Sequence, residues 1–405
     1  MVSSRSSGSM WIIIFGTLAL CVPAVILRLG HIEPFGTLGD TAIFGLGIVA
    51  AAFILAWAAE AAEVDISQGL AVAAVALIAV LPEYAVDMTF AWKAAQDPTF
   101  APYAVANMTG GNRLLIGAAW PFVFFIFWLR ARRTVLQLER GHAIEVLALA
   151  VATVYSFSLP LKGYISVVDT GILALLFVGY VYFVARMPSE DPELIGPART
   201  LGTLPKLQRR TSIMLLLLAA AATIFAAAEP FAEGLVHSGV QLGIDEFLLV
   251  QWLAPLASEA PEFPFAGILA WRGRAGVSMG ALLSSKVNQW TLLIGGLPLA
   301  YSLSGGHLEP LPLDPRQVEE VLLTAAQSAF ALAVMVSLSM SAGEAALLFG
   351  LFVVQFAVPN TEFRLFMSGV YLVLAAGIFI RNRREAVELV HHARTAHLEE
   401  AEGHA

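Results

Sequence analysis

The chain has 405 residues, of which 58% are hydrophobic and 13% charged, with a formal net charge of −8. An ordinary soluble domain carries about 25% charged residues, so this much apolar sequence cannot be hidden from water in a soluble fold, and the class is membrane. The acidic balance leaves no basic face for nucleic acid, and Cys21, the single cysteine, excludes a disulfide framework or a cysteine metal cluster.

Residues 10–27 form an apolar run behind a Ser-rich start bearing Arg5. The run is long for a signal peptide, no small-x-small site follows it, and Leu18-Ala19-Leu20-Cys21 has a bulky residue before the cysteine. It reads as a retained first span. Further stretches long enough to cross the hydrocarbon core fall near 42–62, 68–93, 101–129, 143–160, 164–186, 212–236, 244–270, 276–303, 318–339, 342–358 and 362–381. The expected fold is an all-α polytopic membrane protein of about twelve transmembrane helices, with the break at 340–342 its weakest boundary.

Charge placement tests this map. With the N-terminus inside, the cytoplasmic segments hold 16 of the 23 Lys and Arg, including Arg130, Arg132, Arg133 and Arg140. Only Arg28, Lys93, Lys162, Arg316 and Arg364 fall outside, while Arg113 and Lys286 lie within spans. Both termini are therefore expected in the cytoplasm of a cell with a bacterial-type inner membrane. A polar connection at 187–210 divides the chain, and residues 385–405, rich in Glu, His and Ala, read as a short soluble helix. The tail histidines His391, His392, His397 and His404 read as a solvated face rather than a metal site.

Two segments resemble each other across the divide: VDISQGLAVAAVALIAVLPEY at 64–84 and LGIDEFLLVQWLAPLASEAPEF at 242–263. In both, Pro-Glu falls about two-thirds of the way through the apolar span, at Pro82-Glu83 and Pro261-Glu262. Each precedes a span that opens with small and polar residues, ANMTGGNRLLIG at 106–117 and GALLSSKVNQWTLLIG at 280–295. The preceding spans match loosely as well, AWAAEAAE at 56–63 against FAAAEPFAE at 225–233. The second copy's span is the fifth after the first copy's, an odd offset, so the two insert in opposite directions. Inverted repeats with interrupted helices are how many secondary transporters build a substrate site. Proline frees a backbone carbonyl, which lipid tolerates only where it faces a cavity, protein or an ion.

Carboxylates in mid-membrane cost at least ~2.5 kcal/mol each, so they need partners or a task. Glu83 and Glu262 hold equivalent repeat positions; Asp87 shares a helical face with Glu83, and Glu259 lies three residues before Glu262. Ser258, Ser284, Ser285, Asn288, Gln289, Asn107, Thr109 and Asn112 add oxygens of the kind hard cations take. Arg113 and Lys286 either pair with the glutamates structurally or compensate charge at an ion site. Glu60, Glu63, Glu229 and Glu233 stand near span ends, and Glu145, Glu319 and Glu320 read as interfacial. No nucleotide-binding loop, nucleophile elbow or zinc-ligand spacing appears, so neither an enzyme nor a cofactor is expected.

At these residues the sequence resembles the cation/Ca2+ exchanger superfamily, the sodium/calcium exchanger membrane region, whose two inverted repeats each carry a G-T-S-x-P-E helix followed by a G-N-x-x-G-S-N helix. The resemblance implies two five-helix repeats, 42–186 and 211–358, joined by the 187–210 linker. One extra helix stands at each end, within 1–41 and 359–384, followed by the tail 385–405. It also implies metal ligation by Glu83, Glu262, Glu259, Ser258, Ser285, Asn107, Asn112 and Asp87, with Arg113 and Lys286 compensating charge. Ala79 and Val80 replace the first repeat's hydroxyls, Gly111 its serine, and Leu115 stands where a later amide is usual; in the second repeat Glu259 replaces Ser, Lys286 replaces Asn, and Gln289 stands at a position that can be acidic. The function implied is alternating-access antiport of Na+ and Ca2+, with Na+/H+ or Ca2+/H+ exchange as the close alternative. A scaffold or sensor on a degenerate exchanger fold is the rival from another class. The partners implied are the bilayer and small inorganic cations, and a homodimer is compatible.

Overall fold

The computed structural model describes residues 7–65, 80–186, 194–358 and 360–395. In chain order the helices of the first half are α1 Ser7–Gly30, α2 Gly36–Ala62, α3 Leu81–Ala94, α4 Ala101–Leu114, α5 Trp120–Ala131, α6 Ala143–Ser156, α7 Ser158–Lys162 and α8 Val167–Val184. They continue as α9 Pro197–Gly202, α10 Lys206–Leu242, α11 Glu246–Ser258, α12 Glu262–Trp271, α13 Ala275–Asn288 and α14 Ile294–Gly305. The last four are α15 Pro315–Met335, α16 Ala342–Ala357, α17 Thr361–Arg381 and α18 Arg383–Thr395. Single π-helical turns, Leu115–Ala119 and Gln289–Leu293, join α4 to α5 and α13 to α14.

Among the described residues eight helical segments are long and apolar enough to cross a bilayer. The other four expected spans have specific reasons for falling short. Residues 68–79 of the 68–93 stretch, Ala79 among them, lie outside the described residues. The 244–270 stretch is cut at Glu259–Pro261, where Pro261 has no N–H to continue the helix. The 276–303 stretch is α13, a π turn and α14, and 342–358 is a single short helix. The weak boundary at 340–342 is a real break, since α15 ends at Met335 and α16 begins at Ala342. Leu338 adopts φ 49°, and Ser341 caps α16 in a capping box with Glu344.

Two antiparallel ladders tie the loops. Strand β1, Val135–Gln137, pairs with β4, Ser339–Ser341, and β2, Tyr164–Ile165, pairs with β3, Leu311–Pro312. The charge map puts both partners of the first ladder on the inner side and both partners of the second on the outer side. A miscounted span would have paired loops from opposite faces.

Compactness groups the helices into two units, residues 1–89 with 189–261 and residues 90–188 with 262–405. Each repeat thus gives its leading helices to the first unit and the rest to the second. The cuts fall inside α3 and at Pro261-Glu262.

In the first unit α2 packs against α1 and α10. Glycines permit the approach: a Cβ at Gly47 would meet Ala24 of α1 at 2.6 Å, and one at Gly45 would meet the Phe231 ring of α10 at 2.8 Å. In lipid such small-residue contacts supply association where no hydrophobic drive exists. Helix α10 has 37 residues and is about 55 Å long, so its first turn projects beyond a 30 Å core. There Arg209 grips Asp65 with two bonds, Nε–Oδ2 2.7 Å and Nη2–Oδ1 2.8 Å, and Arg210 adds a third at 3.2 Å. The Arg209 bonds, helped by Arg210, hold the Asp65 carboxyl at about 2, below its usual 3.8. Arg28 at the end of α1 pairs with Glu229 of α10.

In the second unit α15 is the hub, packed against α4, α6 and α17. Its start is fixed by a capping box between Asp314 and Gln317, and Phe330 packs on Tyr371 of α17 with ring centroids 5.7 Å apart. Leu175, Val178, Phe366 and Val373 point outward, as lipid-facing residues do. The tail helix α18 is amphipathic and docks on α6 with Leu389 buried.

Candidate functional site

The Pro-Glu motifs open helices. Pro82 and Glu83 lie in the first turn of α3, where a missing N–H costs nothing because no intrahelical acceptor awaits it. Glu83 is buried, and Asp87, one turn later on the same face, is completely so. In the second repeat Glu262 is the first residue of α12. Glu259 caps α11 at φ −91°, ψ 0°, in the sparsely populated bridge region, and is buried beside the break. Ser258 spends its hydroxyl proton on the carbonyls of Ala254, 3.2 Å, and Pro255, 3.3 Å, so its lone pairs remain available as acceptors.

Within the second unit Ser285 Oγ donates to Glu262 Oε1 at 3.0 Å. Glu262 Oε2 is buried without a hydrogen-bond partner among the described residues. A carboxylate held by one hydroxyl, its other oxygen dry, is a site a proton or a cation would complete. Asn107 is buried, and Asn112 donates its amide to the Met108 carbonyl at 2.8 Å. That orients Asn112 Oδ1 toward Lys286, whose buried ammonium also bonds the Asn112 backbone carbonyl at 3.1 Å and lies 4.7 Å from the Trp290 ring centre.

Asn112 and Lys286 are equivalent repeat positions 174 residues apart, and the same separation relates the two π turns. Equivalent residues that touch each other lie on a pseudo-two-fold axis, here between α4 and α13. The π turns follow three residues later in both copies, and π bulges concentrate at functional sites. Gln289, fully buried, opens the second of them.

Arg113 forms an ion pair with a residue the sequence reading placed at an interface. Its Nη2 lies 2.6 Å from Glu320 Oε2 on α15, and both side chains are almost wholly buried. Arg364 of α17 reaches the same carboxylate at 3.5 Å and Glu319 at 3.3 Å. Gln327 donates to the Arg113 carbonyl, 3.3 Å, and accepts from Gln355, 3.0 Å. The signal for this network was present in α15: Glu320, Thr324, Gln327 and Ser328 fall on one helical face, and all are buried.

By compact unit, Glu83, Asp87, Ser258 and Glu259 belong to the first, and Glu262, Ser285, Asn107, Asn112, Arg113 and Lys286 to the second.

Against known proteins, the family described as sodium/calcium exchanger protein matches residues 38–186 and 212–359. Among solved structures the chain is similar to the H+/Ca2+ exchanger CAX, with 43% identity, 96% of this chain and 99% of that one covered, and a TM-score of 0.92. YfkE shares the fold at 17% identity, covering 89% and 100%, with a TM-score of 0.60. The sodium-calcium exchanger NCX_Mj shares it at 16%, covering 83% and 99%, with a TM-score of 0.50. No curated protein sequence matches.

Proposed function

The chain belongs to the sodium/calcium exchanger protein family, and from that premise we propose that it is a secondary antiporter that moves Ca2+ against protons. The observation that carries the choice of counter-ion is Glu262, a carboxylate with one oxygen on Ser285 and the other buried without a hydrogen bond. Such an oxygen is satisfied equally by a proton or by Ca2+, and the two compete for it. The replacements Val80, Gly111 and Leu115 remove oxygens of the sort Na+ would use, and the 43% identity to an H+/Ca2+ exchanger points the same way.

In this reading Glu83 and Glu262 carry the ions. Exchange of one Ca2+ for two protons leaves the charge on a pair of carboxylates constant through the cycle. Glu259, Asp87, Ser258, Asn107 and Asn112 offer further oxygens of the kind Ca2+ takes. Ser285 orients Glu262. Since Arg113 is engaged with Glu320, compensation of excess negative charge falls to Lys286. The helix is interrupted at Glu259–Pro261, the kind of element-terminal break where hinges are found. The bias of Lys and Arg supports a reading with both termini on the cytoplasmic side of the cell membrane.

A second reading, Na+/Ca2+ exchange, is favoured by the family description. The deciding experiment is flux in proteoliposomes. An imposed pH gradient should drive Ca2+ uptake and an imposed Na+ gradient should not, and Glu262→Gln should abolish uptake while leaving the protein folded. Uptake driven by Na+ alone would replace protons with sodium, and no flux under either gradient would leave the scaffold reading.

A further inference from the structure

Outside the Pro-Glu motifs the second unit contains a cavity of about 530 Å³ at the end of α5, lined by Phe127, Arg132, Arg133, Gln137, Ala275 and Gly276 among others. We propose that this cavity binds the phosphate headgroup of an anionic phospholipid from the leaflet it faces.

Depth is the first argument. Helix α5 ends the membrane-crossing segment Pro98–Ala131, and Phe127 and Arg132 bracket its end, so the cavity lies where hydrocarbon gives way to headgroups. Trp128, with the Arg132 guanidinium 5.2 Å from its ring centre, and the exposed Phe125 and Trp271 mark the same level.

Charge is the second. Among the described residues, Arg132 and Arg133 are the only charged ones in the lining, and no carboxylate joins them. A dense set of arginines on the inner face follows from topology alone, but topology does not require a concave site around two of them.

Backbone is the third. Ala275 and Gly276 are the first residues of α13, a 14-residue helix whose first N–H groups have no acceptor within the helix and carry its positive end. Gly276 lets β1 run close: a Cβ there would come within 3.3 Å of the Gln137 carbonyl. Two arginines and a helix N-terminus lining one concavity suit a phosphate monoanion. Arg132 itself sits at φ 54°, ψ 26°, a left-handed C-cap usually given to Gly or Asn, which turns the chain so that 133–137 form the wall. The lipid, rather than free phosphate, is the committed source, because Phe125, Phe127 and Trp128 supply an apolar surface for the acyl stem.

Only the choice of leaflet depends on the orientation proposed above. The test therefore reads binding, independently of transport. Full-length protein in detergent would be titrated with dioleoyl phosphatidylglycerol, dioleoyl phosphatidylcholine or inorganic phosphate and followed by native mass spectrometry. Phosphatidylglycerol should be retained and phosphatidylcholine should not. The Arg132→Gly/Arg133→Gln double variant should bind about 30-fold more weakly, about fivefold per arginine. Glycine accepts the left-handed turn at Arg132, so this variant keeps the fold, and unchanged Glu262-dependent Ca2+ flux would verify that. Equal retention of phosphatidylcholine, undiminished phosphatidylglycerol binding by the double variant, or phosphate binding without lipid binding would each overturn the proposal.

Discussion

Glu320→Gln is the substitution that most sharply separates structural charge from transported charge. Arg113 and Glu320 are 2% and 1% exposed and 2.6 Å apart, so deleting the anion leaves a guanidinium deep in the second unit without that carboxylate. Removing one partner of a buried pair costs about 3–5 kcal/mol. Glutamine keeps the shape, and Glu319 still compensates Arg364, so the low end, about 3 kcal/mol, is expected. Unfolding in detergent, followed through the fluorescence of buried Trp120, reads the loss. The double variant Arg113→Met/Glu320→Met replaces the pair with apolar groups of similar length and should recover all but about 1 kcal/mol. A Glu320→Gln protein within 1 kcal/mol of the parent would refute charge burial as the reason this pair matters. A double variant as unstable as the single would point to packing instead. Stable double-variant protein that still transports Ca2+ assigns Arg113 to the scaffold, whereas stability without transport would return it to the ion pathway.

Three further outcomes are expected. Ser285→Ala removes the donor to Glu262 and should weaken apparent Ca2+ affinity about tenfold in the flux assay, as befits a hydrogen bond to a charged group. Asp65→Asn should cost about 1 kcal/mol at pH 7, the scale of a solvent-reached ion pair. Because the folded Asp65 carboxyl is depressed to about 2 from 3.8, its contribution is present above pH 4 and fades as pH falls toward 2. Unfolding curves of the parent should therefore lose that increment on acidification, while those of the variant should not. Gly239→Val should destabilise the first unit by about 1–3 kcal/mol in a thermal melt, since its Cβ would lie 2.9 Å from the backbone of Glu246, which cannot swing aside.

The spans, the interruption at Pro261 and the polar helix after each Pro-Glu motif were legible because each depends on local chemistry: run length, a missing N–H, a cluster of small residues. The Ser285–Glu262 bond joins two residues that the family resemblance had named separately. The partner of Arg113 was not legible, because it sits some 200 residues away. The stripe Glu320, Thr324, Gln327, Ser328 is diluted in a hydropathy average by the alanines and leucines between its members. The π turns differ in composition, Leu-Ile-Gly-Ala-Ala against Gln-Trp-Thr-Leu-Leu, so nothing in their own residues marks both as π-helical. The grouping into compact units escapes a reading of the chain for the same reason: it depends on which helices touch across the repeats, not on where the chain turns polar.

The contact between Asn112 and Lys286 bears on how such a chain could have arisen. Were the two halves still separate copies of one short gene product, whatever stood at this position would meet itself. Two asparagines can exchange amide bonds there, but two lysines would set ammonium against ammonium away from water. The lysine therefore requires the two positions to differ, as they can in a joined chain or between diverged copies but not in a homodimer of identical halves. A joined chain makes the exchanger's two sides separately adjustable, and this pair is a place where they differ.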